Sequence, residues 1–463
     1  MDGVTALKKD MTKGKEWKLI LLFSLPIIAG SLLQQLYNTV DGVIVGNFAA
    51  KGPDAFASVA TCQPLVFLFI SLAMGLSVGA NIVISQYFGA GKHDRLPVAI
   101  DTAMVLLGAC GLALTAVALI ITPFMLSVVL SVPENLMEQS VIYFRIYALG
   151  LFFQFLYNGI SAILRGLGNS RATLYFLIIT TLLNTGLDLF FVIVFKWDVA
   201  GAAVATVISQ VVCAAASYIY LRKRYPFIKG GPHWNGGIAR TMTRLGLPIA
   251  IQQGIVSIGN GAMQRMVNTF APTVPGIVEA FGAGQRLDSF IFVPIMGFQS
   301  GLASFTGQNM GAGKLDRVHR GFRVTLIMSL AVTITLCALL YIFAENVVAT
   351  FGLKGDSLRI GVEQIRYLTK FFWMFSGYMS LGGLLQGSGD TIMQSAATLS
   401  ALIVRIVTGY SAVAFGILNY TGAWITTPLG WGAALVLTYT RYFTGGWKKK
   451  AIAGKLSHGP GEK

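Results

Sequence analysis

Lys18–Val45 reads KLILLFSLPIIAGSLLQQLYNTVDGVIV, and the 22 residues between Lys18 and Asp41 carry no charge. A helix needs about 20 mostly apolar residues to cross the hydrocarbon core of a bilayer. The stretch therefore predicts a transmembrane helix. It also recurs. Thr243–Phe270 reads TRLGLPIAIQQGIVSIGNGAMQRMVNTF, with Leu247-Pro248-Ile249 standing 222 residues after Leu25-Pro26-Ile27 and Asn260 after Asn38. At the same spacing Phe48 matches Phe270, Met74-Gly75 matches Met296-Gly297, Gln86 matches Gln308, and Asp94-Arg95 matches Asp316-Arg317. Gly89-Ala90-Gly91-Lys92 matches Gly311-Ala312-Gly313-Lys314. Later the spacing becomes 221, pairing Gly166 with Gly387, Gly168 with Gly389, and Gly201-Ala202 with Gly422-Ala423. Chance does not hold one register over about seventy residues, so the chain is an internal repeat. An element that recurs in mid-chain is a mature helix rather than a signal peptide.

Outward from this pair, apolar runs predict spans near 18–45, 57–84, 97–125, 136–163, 172–195 and 199–221, then 243–270, 277–305, 322–350, 362–386, 391–416 and 421–443. Six spans per half is an even number, so the halves face the same way across the membrane, as a parallel repeat. The expected fold is an all-α integral membrane protein of about twelve transmembrane helices in two six-helix bundles. The expected division is an N-terminal lobe over 1–221, a basic linker over 222–242, a C-terminal lobe over 243–443 and a basic tail over 444–463.

The 463 residues are 54% hydrophobic and 12% charged, about half the charge of a soluble protein. The net charge of +16 suggests nucleic-acid binding until the cations are placed. Of 35 Lys and Arg, 25 fall in the termini and every second loop, while the opposite loops hold Lys51, Lys196, Lys354 and Arg359. That asymmetry puts both termini in the cytoplasm and brings the basic segments to membrane lipids, with no nucleic acid as partner. Cys62, Cys110, Cys213 and Cys337 lie singly in apolar spans, without metal or redox spacing.

Enzyme signatures fail. Gly-Ala-Gly-Lys resembles the end of a P-loop, but Gln86 and Gln308 stand where its first Gly belongs, and His93 and Leu315 where Ser or Thr should follow. Both copies read as tight turns with orienting charge. The four His lie in loops or tail, and no nucleophile elbow or metalloprotease helix appears. No cofactor is expected.

The informative residues are acids inside apolar spans, where a carboxylate costs at least ~2.5–3.5 kcal/mol and so faces protein or water. Asp41 on span 1 and Asp188 on span 5 fall at similar depth in the outer half of the membrane. Gln34, Asn38 and Asp41 share a helix face; Asn184 and Asp188 are a turn apart, and Tyr143 and Thr206 also lie in the outer half. Such a cluster can exchange a proton, or offer Na+ hard oxygen ligands from Asp41, Asn184, Asp188 and Thr206. The alternative is a structural network tying helices together. The repeat places Met263, Arg405 and Gly409 opposite Asp41, Asn184 and Asp188, so an ion site built on these acids belongs to the first bundle. A polar stripe of Gln253, Ser257, Asn260 and Gln264, with Gln34 and Asn38, could wall a wet cavity, and Met263 could line it. Glu279, Arg286 and Asp288, with Arg145, Arg265, Arg366 and Lys370, read as ion-paired residues. Pro26 lacks the N–H of a regular helix and permits a bend there.

Three pieces of this sequence resemble the MATE (multidrug and toxin extrusion) family. They are Leu25-Pro26 through Gln34-Gln35-Leu36-Tyr37-Asn38-Thr39-Val40-Asp41, Gly307–Lys314, and Leu183-Asn184 with Asp188. The resemblance covers nearly the whole chain and is greatest to the DinF-like and archaeal-type members. It implies a V-shaped pair of six-helix lobes in the cytoplasmic (inner) membrane of a prokaryotic cell. It further implies a functional monomer that exports amphipathic, often cationic small molecules against H+ or Na+. It assigns coupling to Asp41 and Asp188, network roles to Tyr143, Asn184 and Thr206, and a bend of helix 1 to Pro26. The NorM-type branch also uses acids on helices 7 and 10; here those positions are Val256 and Phe375. A lipid-linked oligosaccharide flippase of the same superfamily is the main rival, kept alive by Arg265, Arg286 and Arg405. An intramembrane enzyme is the lesser one.

Overall fold

The computed structural model describes residues 10–48, 52–226 and 233–452, apart from the side chains of 37–43, 46–47, 52–53, 56 and 129. Lys8, Lys9, Lys51, Lys229, Lys455 and Lys463, and part of the 222–242 linker, lie outside these residues. The described residues form helices joined by turns and short loops, without a strand.

The first half runs α1 (Glu16–Phe48), α2 (Gly52–Gly89), α3 (Arg95–Phe124), α4 (Glu134–Leu149), α5 (Leu151–Gly166), α6 (Ser170–Asp188) and α7 (Asp198–Arg224). The second runs α8 (Gly236–Thr269), α9 (Ile277–Gly311), α10 (Leu315–Ile342), α11 (Ala344–Ala349), α12 (Gly355–Leu368), α13 (Phe372–Ser388), α14 (Thr391–Ala414), α15 (Gly422–Ile425) and α16 (Thr427–Phe443). Every expected span falls on one helix or on a helix pair. Span 4 is α4 and α5, bent by 46°; spans 9, 10 and 12 are α10 with α11, α12 with α13, and α15 with α16. Among the described residues eight helices are long and apolar enough to cross a bilayer, or nine if the bent pair is one span. The others miss because a break shortens them, or, in α8, because Arg240, Arg244, Arg265 and the polar stripe dilute the apolar run. Two helices end in a π-helical turn, Met125–Val129 after α3 and Leu189–Val194 after α6. The first follows Pro123, whose missing N–H loosens the ladder where the wide turn begins.

The chain divides into two compact units that do not coincide with the sequence halves. One holds Asp10, Leu25–Gly254 and Ile452, and the other Met11–Ser24 with Ile255–Ala451. The cut in α1 falls between Ser24 and Leu25, directly before Leu25-Pro26. Each unit has its own core: Ile82, Ile84, Ile100, Ile160 and Leu164 in the first, Phe281, Phe372, Trp424 and Met263 in the second, all fully buried or nearly so.

The repeat reappears as equivalent contacts inside each unit. In the first, α5 meets α2 where Gly166 faces Asn81 and Ile84. In the second, α13 meets α9 where Gly387 faces Ala303 and Thr306. These sets correspond residue by residue at the two spacings read from the sequence. The same holds for the helix starts. Gly79 of α2 packs on Met242 and Gly246 of α8, whereas Gly301 of α9 packs on Ile20 and Ser24 of α1. Small residues let the backbones approach at such crossings, which replaces the hydrophobic drive that lipid removes.

The Gly-Gln-Asn-Met-Gly-Ala-Gly-Lys motif does more than turn the chain. Gln308 Oε1 accepts from the Met11 backbone N–H (2.9 Å), and Asn309 Nδ2 donates to Met11 O (3.1 Å). Lys314 Nζ donates to Thr12 O (2.9 Å), Arg317 Nη1 to Gly14 O (3.0 Å), and Arg317 and Arg320 pair with Glu16 at 3.2 and 3.0 Å. The motif thus holds the segment before α1. In the first unit the repeat-equivalent Gln86 Oε1 accepts from the Ile452 N–H (2.7 Å). Replacing Gln308 with Ala would leave a buried N–H unmatched, at about 1–3 kcal/mol. Because proteolysis follows the open population, trypsin should cut at Lys13 and Lys15 roughly tenfold faster for each 1.4 kcal/mol lost. Limited proteolysis against wild type checks this.

Candidate functional site: the carboxylate cluster of the first unit

All of the following residues belong to the first unit. α6 ends at Asp188, and its 3.6-residue period stacks Asn184 directly beneath it. Both are fully or almost fully buried. With its nitrogen toward the carboxylate, the Asn184 amide donates to Asp188 Oδ2 (2.8 Å) and accepts from the Thr206 N–H (3.2 Å). In the opposite orientation its nitrogen lies 3.5 Å from Thr206 Oγ1, and its oxygen faces Asp188. The first arrangement suits an ionised carboxylate, the second a protonated one that donates. Thr206, on α7, donates its hydroxyl to Ala202 O (3.0 Å), so its oxygen keeps acceptor capacity. Tyr143, on α4, is buried and stacked on Tyr147, ring centroids 6.3 Å apart.

The structure therefore joins Asn184, Asp188 and Thr206, and packs Tyr143 in the core that also holds Ala202 and Val192. Asn38 and Asp41 lie on α1, but their side chains fall outside the described residues. Gln34 is exposed on α1. Of the residues expected along a cavity wall, Gln253 belongs to the first unit and Ser257, Asn260, Met263 and Gln264 to the second. Asn260 is exposed, Gln253, Ser257 and Gln264 half-buried, and Gln264 donates to Asn268 within its own helix (3.0 Å). Met263 has no exposed surface: it packs with Met266 and Val267 in the second core, where a flexible thioether fills space.

Sequence reading missed some polar groups. Tyr147 donates to Gln154 Oε1 (3.0 Å) across the α4–α5 bend, and the amide oxygen of Gln210 is buried nearby against Gly150. The i, i+4 spacing of Tyr143 and Tyr147 was the available signal. Asp101 of α3 is also buried, accepting from His233 Nδ1 (3.0 Å) and pairing with Arg222 (3.6 Å), so it anchors the end of the linker. The expected ion pairs of the second half are corrected. Among the described residues Glu279, Arg286, Asp288, Arg145, Arg265, Arg366 and Lys370 have no opposite charge within 4.0 Å. Asp288 feels the Arg405 charge at longer range. Arg366 and Lys370 instead lie over the Tyr341 ring, 5.7 and 5.9 Å from its centroid. Exposed ion pairs gain little, and an aromatic face is a comparable partner.

Two six-helix halves related by an internal repeat, the first holding the buried Asp188 with Asn184 and Thr206, define a polytopic transporter of internal-repeat type. The MatE family pattern matches the chain twice, over residues 26–190 and 248–411, and the chain belongs to that family. Its members are transporters rather than enzymes. Two Bacillus subtilis proteins named as probable multidrug resistance proteins are similar over nearly their full length. YoeA is 26% identical over 452 residues, covering 95% of this chain and 96% of that protein. YpnP is 28% identical over 457 residues, covering 95% and 97%. The fold matches a crystal structure of MATE in complex with MaL6 at TM-score 0.87 and 24% identity, covering 97% of this chain and 100% of that one.

Proposed function

We propose that the chain is a secondary active exporter of amphipathic, often cationic organic compounds, driven by H+ or Na+ entering at the carboxylates of the first half. The observation that carries this reading is Asp188, a fully buried carboxylate bound to an amide that can face it as donor or acceptor. A carboxylate buried in a membrane-spanning helix is costly to keep and marks an ion path. Asp41, on the same face of α1 as Gln34, is the proposed second carboxylate, with Tyr143 and Thr206 completing the network. For Na+, the Asp188 carboxylate, the Asn184 side-chain oxygen and the Thr206 hydroxyl supply hard oxygen donors. For H+, Asp188 takes the proton and Asn184 turns its oxygen to accept it.

Neutralising the acids removes the charge that a cationic substrate would pair with, so ion and substrate exclude one another. Only an ion that prefers one conformation can drive the cycle. Pro26, beside the division of α1 between the two units, is the proposed bend through which occupancy reaches that helix. Gln34, Asn38, Gln253, Ser257, Asn260 and Gln264 are the proposed substrate-contacting residues; Met263, sealed in the second core, is not among them. The proposed lobes are 1–221 and 243–443, in a monomer with both termini in the cytoplasm. The names of YoeA and YpnP agree with this reading.

Proteoliposomes loaded with a cationic dye test it. An imposed pH gradient or an imposed Na+ gradient should move the dye through wild-type protein. Absence of movement under both would sink the exporter reading.

A further inference from the structure

The second unit carries a long apolar groove on its surface, between α10 and α13 and closed at one end by α16, that the proposed transport leaves unused. One hollow, of about 270 Å³, is lined by Ile334, Cys337, Ala338, Tyr341, Lys370 and Trp373. A second, of about 410 Å³, is lined by Leu326, Leu330, Trp373, Gly377 and Tyr439. Trp373 borders both, so they form one groove. Its floor is a stripe along α10: Leu326, Leu330, Ile334 and Ala338 at intervals of one helical turn. From Leu326 to Tyr341 the groove runs 15 residues, about 22 Å at 1.5 Å per residue. One leaflet of hydrocarbon is about 15 Å deep, so the groove spans the depth of an acyl chain with a headgroup above it.

Its mouth is basic. Arg366 and Lys370 converge on the Tyr341 ring, and Arg366 Nε reaches Tyr341 O at 3.5 Å. Both cations are exposed, and among the described residues neither has a carboxylate within 4.0 Å. Tyr341 and Trp373 are themselves 43% and 46% exposed, as aromatic side chains are at a membrane interface. A phosphodiester matches this mouth: a planar guanidinium for two of its oxygens and a point charge beside it. The mouth lies at the end of α10 away from Lys314, hence in the leaflet opposite the basic loops. The anionic lipid expected at those loops is a different one.

We propose that this groove binds one anionic phospholipid, its phosphate held by Arg366 and Lys370 beside Tyr341 and one acyl chain lying past Trp373 along Ala338, Ile334 and Leu330.

Native mass spectrometry of delipidated full-length protein tests the assignment. The probes are phosphatidylglycerol and phosphatidylethanolamine with the same chains, and glycerol 3-phosphate as the headgroup alone. Wild type should retain one phosphatidylglycerol about fivefold or more tightly than phosphatidylethanolamine. Retention should fall roughly fivefold for each cation removed in Arg366→Gln and Lys370→Gln. It should fall similarly in Ala338→Trp, which fills the groove and keeps both cations. Lys448→Gln, beside Trp447 and His319 at the opposite end of α10 from Tyr341, should retain the lipid as wild type does. Equal retention of the two lipids, or retention unchanged in Arg366→Gln with Lys370→Gln, overturns the proposal. Competition by glycerol 3-phosphate also overturns it, because the site would then take a soluble anion.

Discussion

Asp188→Asn is expected to reduce gradient-driven dye export to the level of protein-free liposomes while leaving the protein folded. The substitution keeps the shape of the side chain and removes its charge and its proton. Asn184 can still pair with it, since an amide offers both a donor and an acceptor and Asn184 can present either face. Structure is therefore retained. It is even favoured, because an ionisable group at membrane depth costs at least ~2.5–3.5 kcal/mol that an amide largely avoids. The melting temperature in detergent should stay level or rise. Export and stability thus move in opposite directions, which separates a coupling role from a structural one. A purely structural network would show the reverse: lower stability with transport retained in what folds. Liposome transport and thermal unfolding on the same preparation decide between them.

Gly387→Ala should destabilise the protein by about 3 kcal/mol, whereas Gly166→Ala, its repeat partner, should be close to neutral. Two effects compete at both positions. Ala gains up to about 1 kcal/mol over Gly inside a helix. Against this, a Cβ at Gly387 would run into the Ala303 carbonyl oxygen and lie 2.7 Å from Thr306 Cβ, forcing α13 off α9. A backbone carbonyl cannot swing away, so the clash wins. At Gly166 the same added atom lies 3.1 Å from Ile84 Cγ2 and 3.2 Å from Asn81 O. Shifts of a few tenths of an ångström absorb that, and the helix gain offsets it. Thermal unfolding should show Gly387→Ala lower by roughly 5 °C or more, with Gly166→Ala within a degree or two of wild type. Equal effects at both would mean that the two crossings are not packed as described.

The helices were legible because lipid imposes long apolar runs, and the repeat because two copies of one crossing need the same small residues at the same spacing. Gly166 with Gly387 and Gly201 with Gly422 are such places. The sequence reading could not show where helices break. The chain stays apolar through Gly150, so hydropathy runs on while the ladder does not, and at Thr369–Phe371 neither Gly nor Pro marks the break. Nor could it show that Gln308 and Gln86 hold backbone N–H groups from distant segments, since such a bond leaves no pattern at the donating backbone end. In the candidate site, Asn184 and Asp188 were legible as polar residues a turn apart in an apolar helix. Thr206 followed from depth alone. Tyr147, Gln154 and Gln210 were not, because hydroxyls and amides are common enough in membrane helices that only proximity singles them out. Arg366 and Lys370 were read as half of ion pairs because charge in an apolar span suggests a counter-charge; an aromatic face took that place.

The claim that the driving ion binds at the first-half carboxylates is tested most directly by the ion flux that dye export triggers. Proteoliposomes holding wild type, Asp41→Asn or Asp188→Asn would be given dye while internal pH is followed in Na+-free buffer, and uptake of radioactive Na+ is followed at fixed pH. One of the two ions should flow counter to the dye in wild type, and neither should in the two variants. Counterflow that persists undiminished in both variants would contradict it and move the coupling site elsewhere in the chain.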